Sequence, residues 1–140
     1  MAKNGPIILV EDDEDDQKIF TDVVSELKMK NKVHWFTNAL DAHAYLLSSN
    51  EQPFMIFCDI NLPKQSGIEF KKKIDDNPQL RKKSIPFLFY TTSVSPVSVT
   101  EAYTKMTVQG YFEKPGSIVE MKKVLQLIFS YWQVCKHPNS

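Results

Sequence analysis

The most constraining feature of this chain of 140 residues is a regular alternation of short apolar runs with longer amphipathic stretches. Short apolar runs bounded by turn residues indicate buried strands, and apolar residues at helical spacing indicate helices that cover a sheet. The apolar runs predict strands at residues 6–10, 32–37, 53–58, 85–90 and 108–112.

The amphipathic stretches predict one helix after each strand. In the first of them, Ile19, Val23 and Leu27 recur at helical spacing. The last begins after Ser117, a residue type that is favoured at helix N-caps. The predicted helices span about residues 15–28, 39–47, 68–74, 97–106 and 117–134.

Strands that alternate with helices in this way predict a doubly wound α/β fold, with a five-stranded parallel sheet and five helices on its two faces. A length of 140 residues fits one domain with a full-sized core, here over about residues 6–134. We expect no output domain after the last helix, and we expect residues 137–140 to be frayed.

Charge and cysteine content narrow the classes of partner and location. The 17 basic and 17 acidic residues give a formal net charge of zero, which provides no electrostatic reason for a nucleic-acid or membrane partner. The apolar runs are too short to span a membrane, and the amino terminus has no signal-peptide pattern. Two cysteines, one of them in a predicted strand, indicate a reducing compartment. We therefore expect a cytoplasmic protein.

Reactive side chains follow four of the predicted strands. Glu11 and Asp12 follow the first strand, Asp59 the third, Thr91 the fourth and Lys114 the fifth. Ligands bind at the carboxyl ends of the strands in such sheets, so we expect these side chains to converge. Three carboxylates there would repel one another by several kcal/mol at an effective dielectric of about 20, so the group needs a cation. Oxygen ligands without histidine or cysteine favour Mg²⁺.

Glu14, Asp15 and Asp16 are interpreted differently from Glu11 and Asp12. They fall at the start of the first predicted helix, where the helix dipole favours acidic residues.

The side chains at the strand ends suit phosphoryl transfer. A carboxylate held against Mg²⁺ can act as a nucleophile toward phosphorus. The transferred group then needs charge stabilisation at its remaining oxygens, for which Lys114 offers a positive charge and Thr91 a hydroxyl. Asp59, at the end of an apolar run, is therefore the predicted phosphate acceptor.

Four motifs carry a resemblance to a known family. ILVEDD, CDINLP followed by Gly67, TTS and GYFEKP, in this order, resemble the receiver domain of two-component response regulators over residues 6–134. EDDEDD, NLPKQSG and NPQLRKKSIPFLFYTTS are further similar to the single-domain receivers that serve bacterial phytochromes. The resemblance implies a flavodoxin-like fold and a chemotaxis-type phosphoacceptor. Its partner would be a sensor histidine kinase, of the phytochrome type, or a phosphotransfer protein.

The same resemblance implies roles for the acidic residues. Glu11, Asp12 and Asp59, with the backbone carbonyl of Asn61, would hold Mg²⁺, for which Mn²⁺ could substitute. Asp59 would take the phosphoryl group. Asn61 and Ser93 would flank the path of the attacking water and tune dephosphorylation. The protein would promote only its own phosphorylation and dephosphorylation, and in this sense is not an enzyme.

It also implies a phosphoryl-binding and switch group. Thr91 would be the switch hydroxyl, and Lys114 would pair with the phosphoryl oxygens. Thr92 stands where the family most often has alanine, which would narrow access to the site. Tyr111 matches the switch aromatic, although a simply packed aromatic on an edge strand is an equally good interpretation. Pro115 follows the lysine, where the family has a cis peptide bond.

The last predicted helix carries a second apolar stripe, formed by Leu127, Tyr131 and Val134. A row of three apolar residues at helical spacing suggests a contact surface for a homodimer or a target. The alternative is that lysine stems and the chain end cover the row.

Two other functions stay open at this point. The chain could be a docking module that keeps the receiver fold without being phosphorylated. An aspartate-nucleophile phosphatase is the other, but it would need a second acid two residues after the nucleophile, where this chain has Asn61. Phosphorylation by a small donor such as acetyl phosphate would separate the first alternative from a phosphoacceptor.

Overall fold

The five apolar segments form a single parallel sheet in the computed structural model, which describes residues 2–137. All residues of the three inner strands are buried, whereas the two edge strands are partly exposed. The sheet order is β2-β1-β3-β4-β5, and every neighbouring pair is parallel. The strands are β1 (Ile7–Val10), β2 (Val33–Phe36), β3 (Met55–Cys58), β4 (Phe87–Thr91) and β5 (Gly110–Glu113).

The helices begin at side-chain caps. An Asp, Asn or Ser accepts a hydrogen bond from the backbone N–H three residues later at the start of every α-helix. A short 3-10 helix, Ala2–Asn4, precedes the sheet. The α-helices are α1 (Glu14–Glu26), α2 (Ala39–Ser48), α3 (Gly67–Asp76), α4 (Pro78–Lys83), α5 (Pro96–Lys105) and α6 (Ile118–Val134).

The prediction of five helices was wrong by one, because residues 2–137 contain six α-helices. The additional helix is α4, a six-residue helix between α3 and β4. Asn77 caps it through the Leu80 N–H at 3.1 Å, Pro78 occupies its first turn, and Leu80 is buried. Asn-Pro is a strong start signal for a helix, so the sequence did contain the pattern for α4.

The sheet separates two apolar layers. Alternate strand residues such as Ile7 and Leu9 pack with α1 and α6, whereas Ile8 and Val10 pack with the helices of the other face, α2 to α5. This period-two division is what a strand buried on both faces requires.

The topology locates the site. The chain leaves β1 for the edge strand β2, whereas β3, β4 and β5 follow one another on the other side of β1. The carboxyl ends of β1 and β3 therefore flank the point where the strand order reverses, and ligands bind at that point in open α/β sheets. Glu11 follows β1 and Asp59 follows β3.

His137, the last described residue, is more ordered than expected. His137 is buried, and its Nε2 lies 2.6 Å from the carbonyl oxygen of Phe54. The expectation of fraying was wrong for His137, because its ring packs against Phe54 and Trp132. Residues 138–140 lie outside the described part.

Within residues 2–137, no helix combines the length and the apolar character that crossing a membrane requires.

Candidate functional site

Three carboxylates meet at the predicted edge of the sheet. One oxygen from each of Glu11, Asp12 and Asp59 lies within 4.8 Å of the others. Glu11 and Asp59 are buried, whereas Asp12 is exposed to solvent. The sequence-based expectation of a carboxylate cluster is met, and these oxygens are the ligand type that Mg²⁺ prefers.

Lys114 stands at the centre of this acidic group. Its ammonium donates to Glu11 Oε1 at 2.5 Å, to Asp59 Oδ2 at 2.9 Å and to Asp16 Oδ2 at 2.9 Å. The backbone places it there, because the Lys114 N–H donates to the carbonyl oxygen of Thr91 at 2.9 Å. Burial by itself would lower the pKa of Lys114, but the hydrogen bonds to the three carboxylates outweigh burial and raise the pKa. The lysine is therefore charged throughout the physiological range.

The same surroundings favour the charged form of Lys114 but the neutral form of Glu11. Burial raises the pKa of Glu11 to about 7, although the hydrogen bond from Lys114 favours the carboxylate. Glu11 also accepts the Asp13 N–H at 3.2 Å. A bound cation would favour the charged form of Glu11 further.

The predicted switch hydroxyl already contacts the predicted acceptor. Thr91 is fully buried at the end of β4, and its Oγ1 donates to Asp59 Oδ1 at 2.5 Å. Asp59 Oδ1 also accepts the Ile60 N–H at 2.7 Å, and Thr91 Oγ1 accepts the Ser93 N–H at 3.1 Å. One carboxylate oxygen of Asp59 thus bonds to hydroxyl and backbone, and the other bonds to Lys114.

Gly67 allows the loop after β3 to close over the acceptor. Its N–H donates to the carbonyl oxygen of Ile60 at 2.8 Å. A Cβ added at this position would lie 2.2 Å from the Asp59 carbonyl oxygen, a distance that backbone atoms cannot accommodate without moving. Glycine is required here because the first turn of α3 touches the backbone that carries Asp59.

We predict that Gly67→Ala lowers the free energy of unfolding by about 1–3 kcal/mol, since overpacking against backbone forces a shift of the loop. Urea denaturation of both proteins measures the change. Gly116→Ala is the matched control, because nothing lies within 4 Å of a Cβ there. A Gly67→Ala protein that is as stable as the Gly116→Ala protein would contradict the close approach.

The other predicted residues are placed less centrally. The side chains of Thr92 and Asn61 are exposed, and Ser93 is partly buried. The Tyr111 ring packs on Phe89, with ring centroids 5.7 Å apart, and its hydroxyl donates to the carbonyl oxygen of Ser93. Tyr111 therefore connects β5 to the loop that follows Thr91.

The expectation of a cis peptide bond before Pro115 was wrong, because no peptide bond among the described residues 2–137 is cis.

Asp16 belongs to the site, although the sequence pattern predicts only an acidic helix start for it. Its carboxylate contacts Lys114 at 2.9 Å. Asp13 caps α1 by accepting the Asp16 N–H at 3.0 Å. The only signal in the sequence was the closeness of Asp16 to the end of β1.

The second stripe of α6 is open to solvent. Leu127, Tyr131 and Val134 are 72%, 60% and 85% exposed. Two of them, Leu127 and Tyr131, line a groove of about 450 Å³ together with Phe112 and Val124. The other face of α6 packs on the sheet, where Met121, Leu125, Ile128 and Phe129 are buried.

Comparison with known proteins yields one family. The model of the response regulator receiver domain matches residues 7–126. The response regulator Rcp1 of Synechocystis sp. is 30% identical over 131 residues, which cover 90% of this chain and 87% of Rcp1.

Solved structures agree with this match. The Mn²⁺-bound form of Rcp1 has a TM-score of 0.82 at 29% identity and covers 94% of this chain and 97% of its own. The bacteriophytochrome response regulator RtBRR has a TM-score of 0.73 at 27% identity, over 95% of this chain and 82% of its own. The phosphorylated cyanobacterial phytochrome response regulator RcpA, at 24% identity, shares the fold with a TM-score of 0.83 over 96% of this chain and 98% of its own.

Proposed function

This chain belongs to the response regulator receiver domain family of two-component signalling, and from this premise we propose that Asp59 accepts a phosphoryl group from a phosphohistidine donor in an Mg²⁺-dependent reaction. The single observation that carries the proposal is the arrangement around Asp59. One of its oxygens receives the Thr91 hydroxyl, and the other receives the Lys114 ammonium.

The reaction follows from this arrangement. An oxygen of the Asp59 carboxylate forms a bond to phosphorus, the nitrogen–phosphorus bond of the donor breaks, and its electron pair stays on the imidazole nitrogen. Lys114 and Thr91 then donate hydrogen bonds to the oxygens of the transferred group. They act mainly by position and charge, as phosphoryl transfer requires.

The carboxylate cluster fits a divalent ion, since three oxygen ligands lie within 4.8 Å of one another. Glu11, Asp12 and Asp59, with the carbonyl of Asn61, would hold it. When bound, Mg²⁺ supplies positive charge against the carboxylates and the incoming phosphoryl group. The Mn²⁺-bound structure of Rcp1 supports the interpretation that Mn²⁺ can substitute.

Incubation with acetyl phosphate tests the proposal. We expect one phosphoryl group per chain by intact-protein mass spectrometry when Mg²⁺ or Mn²⁺ is present, and none when a chelator removes both. Equal labelling with and without chelator would rule out the metal-dependent reaction. A chain that stays unlabelled under all conditions would instead be the docking module described above.

The phosphoryl donor in this proposal is a partner protein. We propose a sensor histidine kinase of the phytochrome type, or a phosphotransfer protein that carries its phosphoryl group. The support is the similarity to RtBRR and RcpA, both named as phytochrome response regulators. The chemistry of the chain itself would then be limited to gaining and losing this phosphoryl group.

The lifetime of the phosphoryl group should depend on Asn61, two residues after Asp59, and on Ser93, two residues after Thr91. Asn61 and Ser93 are small, and the side chain of Asn61 is exposed, so neither would block water strongly. We predict that Asn61→Arg and Ser93→Lys slow dephosphorylation several-fold without preventing phosphorylation. The decay of radiolabelled protein after removal of the donor measures this. An unchanged half-life in both variants would contradict the assignment.

Phosphorylation would change the surface that β5 and α6 present to a partner. Tyr111 bonds to the loop after Thr91, and the exposed stripe of Leu127, Tyr131 and Val134 lies on α6, the next helix along the chain. A change in the Thr91 loop would therefore reach this face through Tyr111, which acts as a two-state element. We propose this stripe as the contact surface for a second copy or a target.

We predict that Tyr131→Glu weakens self-association or target binding at least several-fold and leaves phosphorylation of Asp59 intact. A carboxylate in an apolar contact is costly to desolvate, whereas α6 keeps its buried face. Sedimentation with and without a phosphate mimic measures the effect. Leu40→Glu is the control, because Leu40 is 45% exposed on α2, which packs on the other face of the sheet. Wild-type protein that is monomeric in both states, with normal target binding by the variant, would remove this surface.

A further inference from the structure

A cavity that the phosphoacceptor site does not use lies at the end of the sheet opposite Asp59. It has a volume of about 280 Å³ and is bounded by α3, α4 and the chain segments that enter β4 and β5. Because the strands are parallel, the segments that enter them lie at the amino edge, away from the carboxylate cluster. The volume is just below the range of about 300–1,000 Å³ that is typical of small-molecule pockets.

A buried lysine forms part of the cavity wall. The Lys71 side chain is 4% exposed and forms an ion pair with Asp75, with 3.0 Å between Nζ and Oδ1. Its Nζ also lies 4.9 Å from the centroid of the Phe87 ring. An ammonium group has three donors, and Asp75 is its one carboxylate partner among the described residues. Two donors of the ammonium are therefore left without a carboxylate partner in an almost water-free place, where an unsatisfied donor is costly.

Asp75 bonds to Thr107 as well as to Lys71. Its two oxygens also accept the Thr107 hydroxyl at 2.7 Å and the Thr107 N–H at 3.0 Å. The carboxylate has about four lone-pair sites and accepts all three bonds, but its ion pair uses only one of the three donors of Lys71.

A second cation lines the same cavity. Arg81 on α4 takes part in no ion pair with the described residues. Burial lowers the pKa of Lys71, and the positive charge of Arg81 lowers this pKa further. The ion pair with Asp75 raises the pKa but offsets the decrease only in part. Two cations that line one cavity and repel each other favour an anion between them.

The rest of the lining is mostly apolar. Ile74, Leu80 and Phe87 contribute hydrocarbon surface, and Ser84 and Thr107 contribute polar atoms at the wall. A few convergent polar groups in an otherwise apolar pocket are typical of binding sites for small organic molecules.

We propose that this cavity binds a small organic carboxylate, with its anionic group between Lys71 and Arg81 and its apolar part against Ile74, Leu80 and Phe87. The guanidinium of Arg81 can hold a carboxylate through two parallel hydrogen bonds, and Lys71 adds a charged donor from inside. The site is independent of the phosphoacceptor function.

Benzoate is a suitable probe, with benzamide as its neutral counterpart of the same shape. We expect benzoate to produce saturable shifts of the backbone amide NMR signals of Lys71, Phe87 and Thr107. The Ile60 and Asn61 signals, beside Asp59, should not move. Benzamide should bind at least about tenfold more weakly than benzoate, since it lacks the negative charge.

Variants locate the interaction. Arg81→Gln and Lys71→Met should each weaken benzoate binding about tenfold or more, whereas Lys72→Met, the neighbouring exposed lysine, should leave it unchanged. If Lys71→Met does not fold, Arg81→Gln alone decides, because Arg81 is exposed and its loss leaves the core intact.

The proposal is overturned if benzoate causes no shifts up to its solubility limit. It is also overturned if benzamide binds equally well, or if Arg81→Gln binds like wild type. None of these readouts uses phosphorylation, so their failure is distinguishable from failure of the phosphoacceptor proposal.

Discussion

Asp59→Asn should abolish phosphorylation by acetyl phosphate, the largest effect that we expect from any single substitution. The amide of asparagine has nearly the shape of the carboxylate but lacks its charge and is not a nucleophile toward phosphorus. The fold should survive, because Lys114 keeps Glu11 and Asp16 as partners. We therefore expect a cooperatively folded protein that gains no phosphoryl group by mass spectrometry.

Asp22→Asn provides the control for this loss. Asp22 is an exposed aspartate on α1, outside the carboxylate cluster, and its replacement should leave the extent of labelling unchanged. Phosphorylation of the Asp59→Asn protein at the wild-type level would place the acceptor elsewhere and end the proposal.

Lys114→Met should destabilise the metal-free protein by about 3–5 kcal/mol, the usual cost of removing one partner from a buried ionic group. The Lys114 side chain is 9% exposed, and those of Glu11 and Asp59 are 4% and 10% exposed. Without the ammonium these carboxylates repel each other in a place that water reaches poorly. Two like charges at 4 Å interact by about 4 kcal/mol at an effective dielectric of 20.

Mg²⁺ should restore much of the lost stability, because a cation that binds only the native state stabilises it by about 2.7 kcal/mol at one hundred times its Kd. Urea denaturation in chelator and in excess Mg²⁺ measures both effects. Lys105→Met is the matched control, since Lys105 is 65% exposed and pairs with Glu101 at 3.8 Å. Such a surface pair contributes about 0–1 kcal/mol.

Two results would count against this account of Lys114. One is an equal loss of stability in the Lys105→Met protein. The other is a Lys114→Met protein whose stability does not respond to Mg²⁺, since this would mean that the carboxylates do not form a cation site.

The fold was predictable to the extent that it depends on local pattern. Apolar runs such as Ile7–Val10 and Met55–Cys58 identified the inner strands, and Ser117 was confirmed as the N-cap of α6. These signals lie within a few residues and act through burial and capping. The short helix α4 is not evident from the sequence pattern, because Asn77 both ends α3 and caps α4.

The convergence of the site was predictable for a different reason. The carboxyl ends of parallel strands share one edge of the sheet, so Glu11, Asp59, Thr91 and Lys114 could be placed together before any distance was known. The contact of Asp16 with Lys114 could not, because it depends on how α1 docks on the sheet. Neither could the closeness of Gly67 to the Asp59 backbone, which joins the start of α3 to the end of β3.

The sequence by itself determined the parallel sheet and the identity of the residues at its strand ends, since these follow from the periodicity of apolar residues and from the alternation of strands and helices. Only the tertiary structure decided which carboxylates Lys114 binds, which way Tyr111 faces, and that Lys71 lies buried in a cavity beside Asp75. These features depend on contacts between residues that are distant in the chain. Their geometry is set by the packing of whole helices against the sheet, and no short stretch of sequence encodes it.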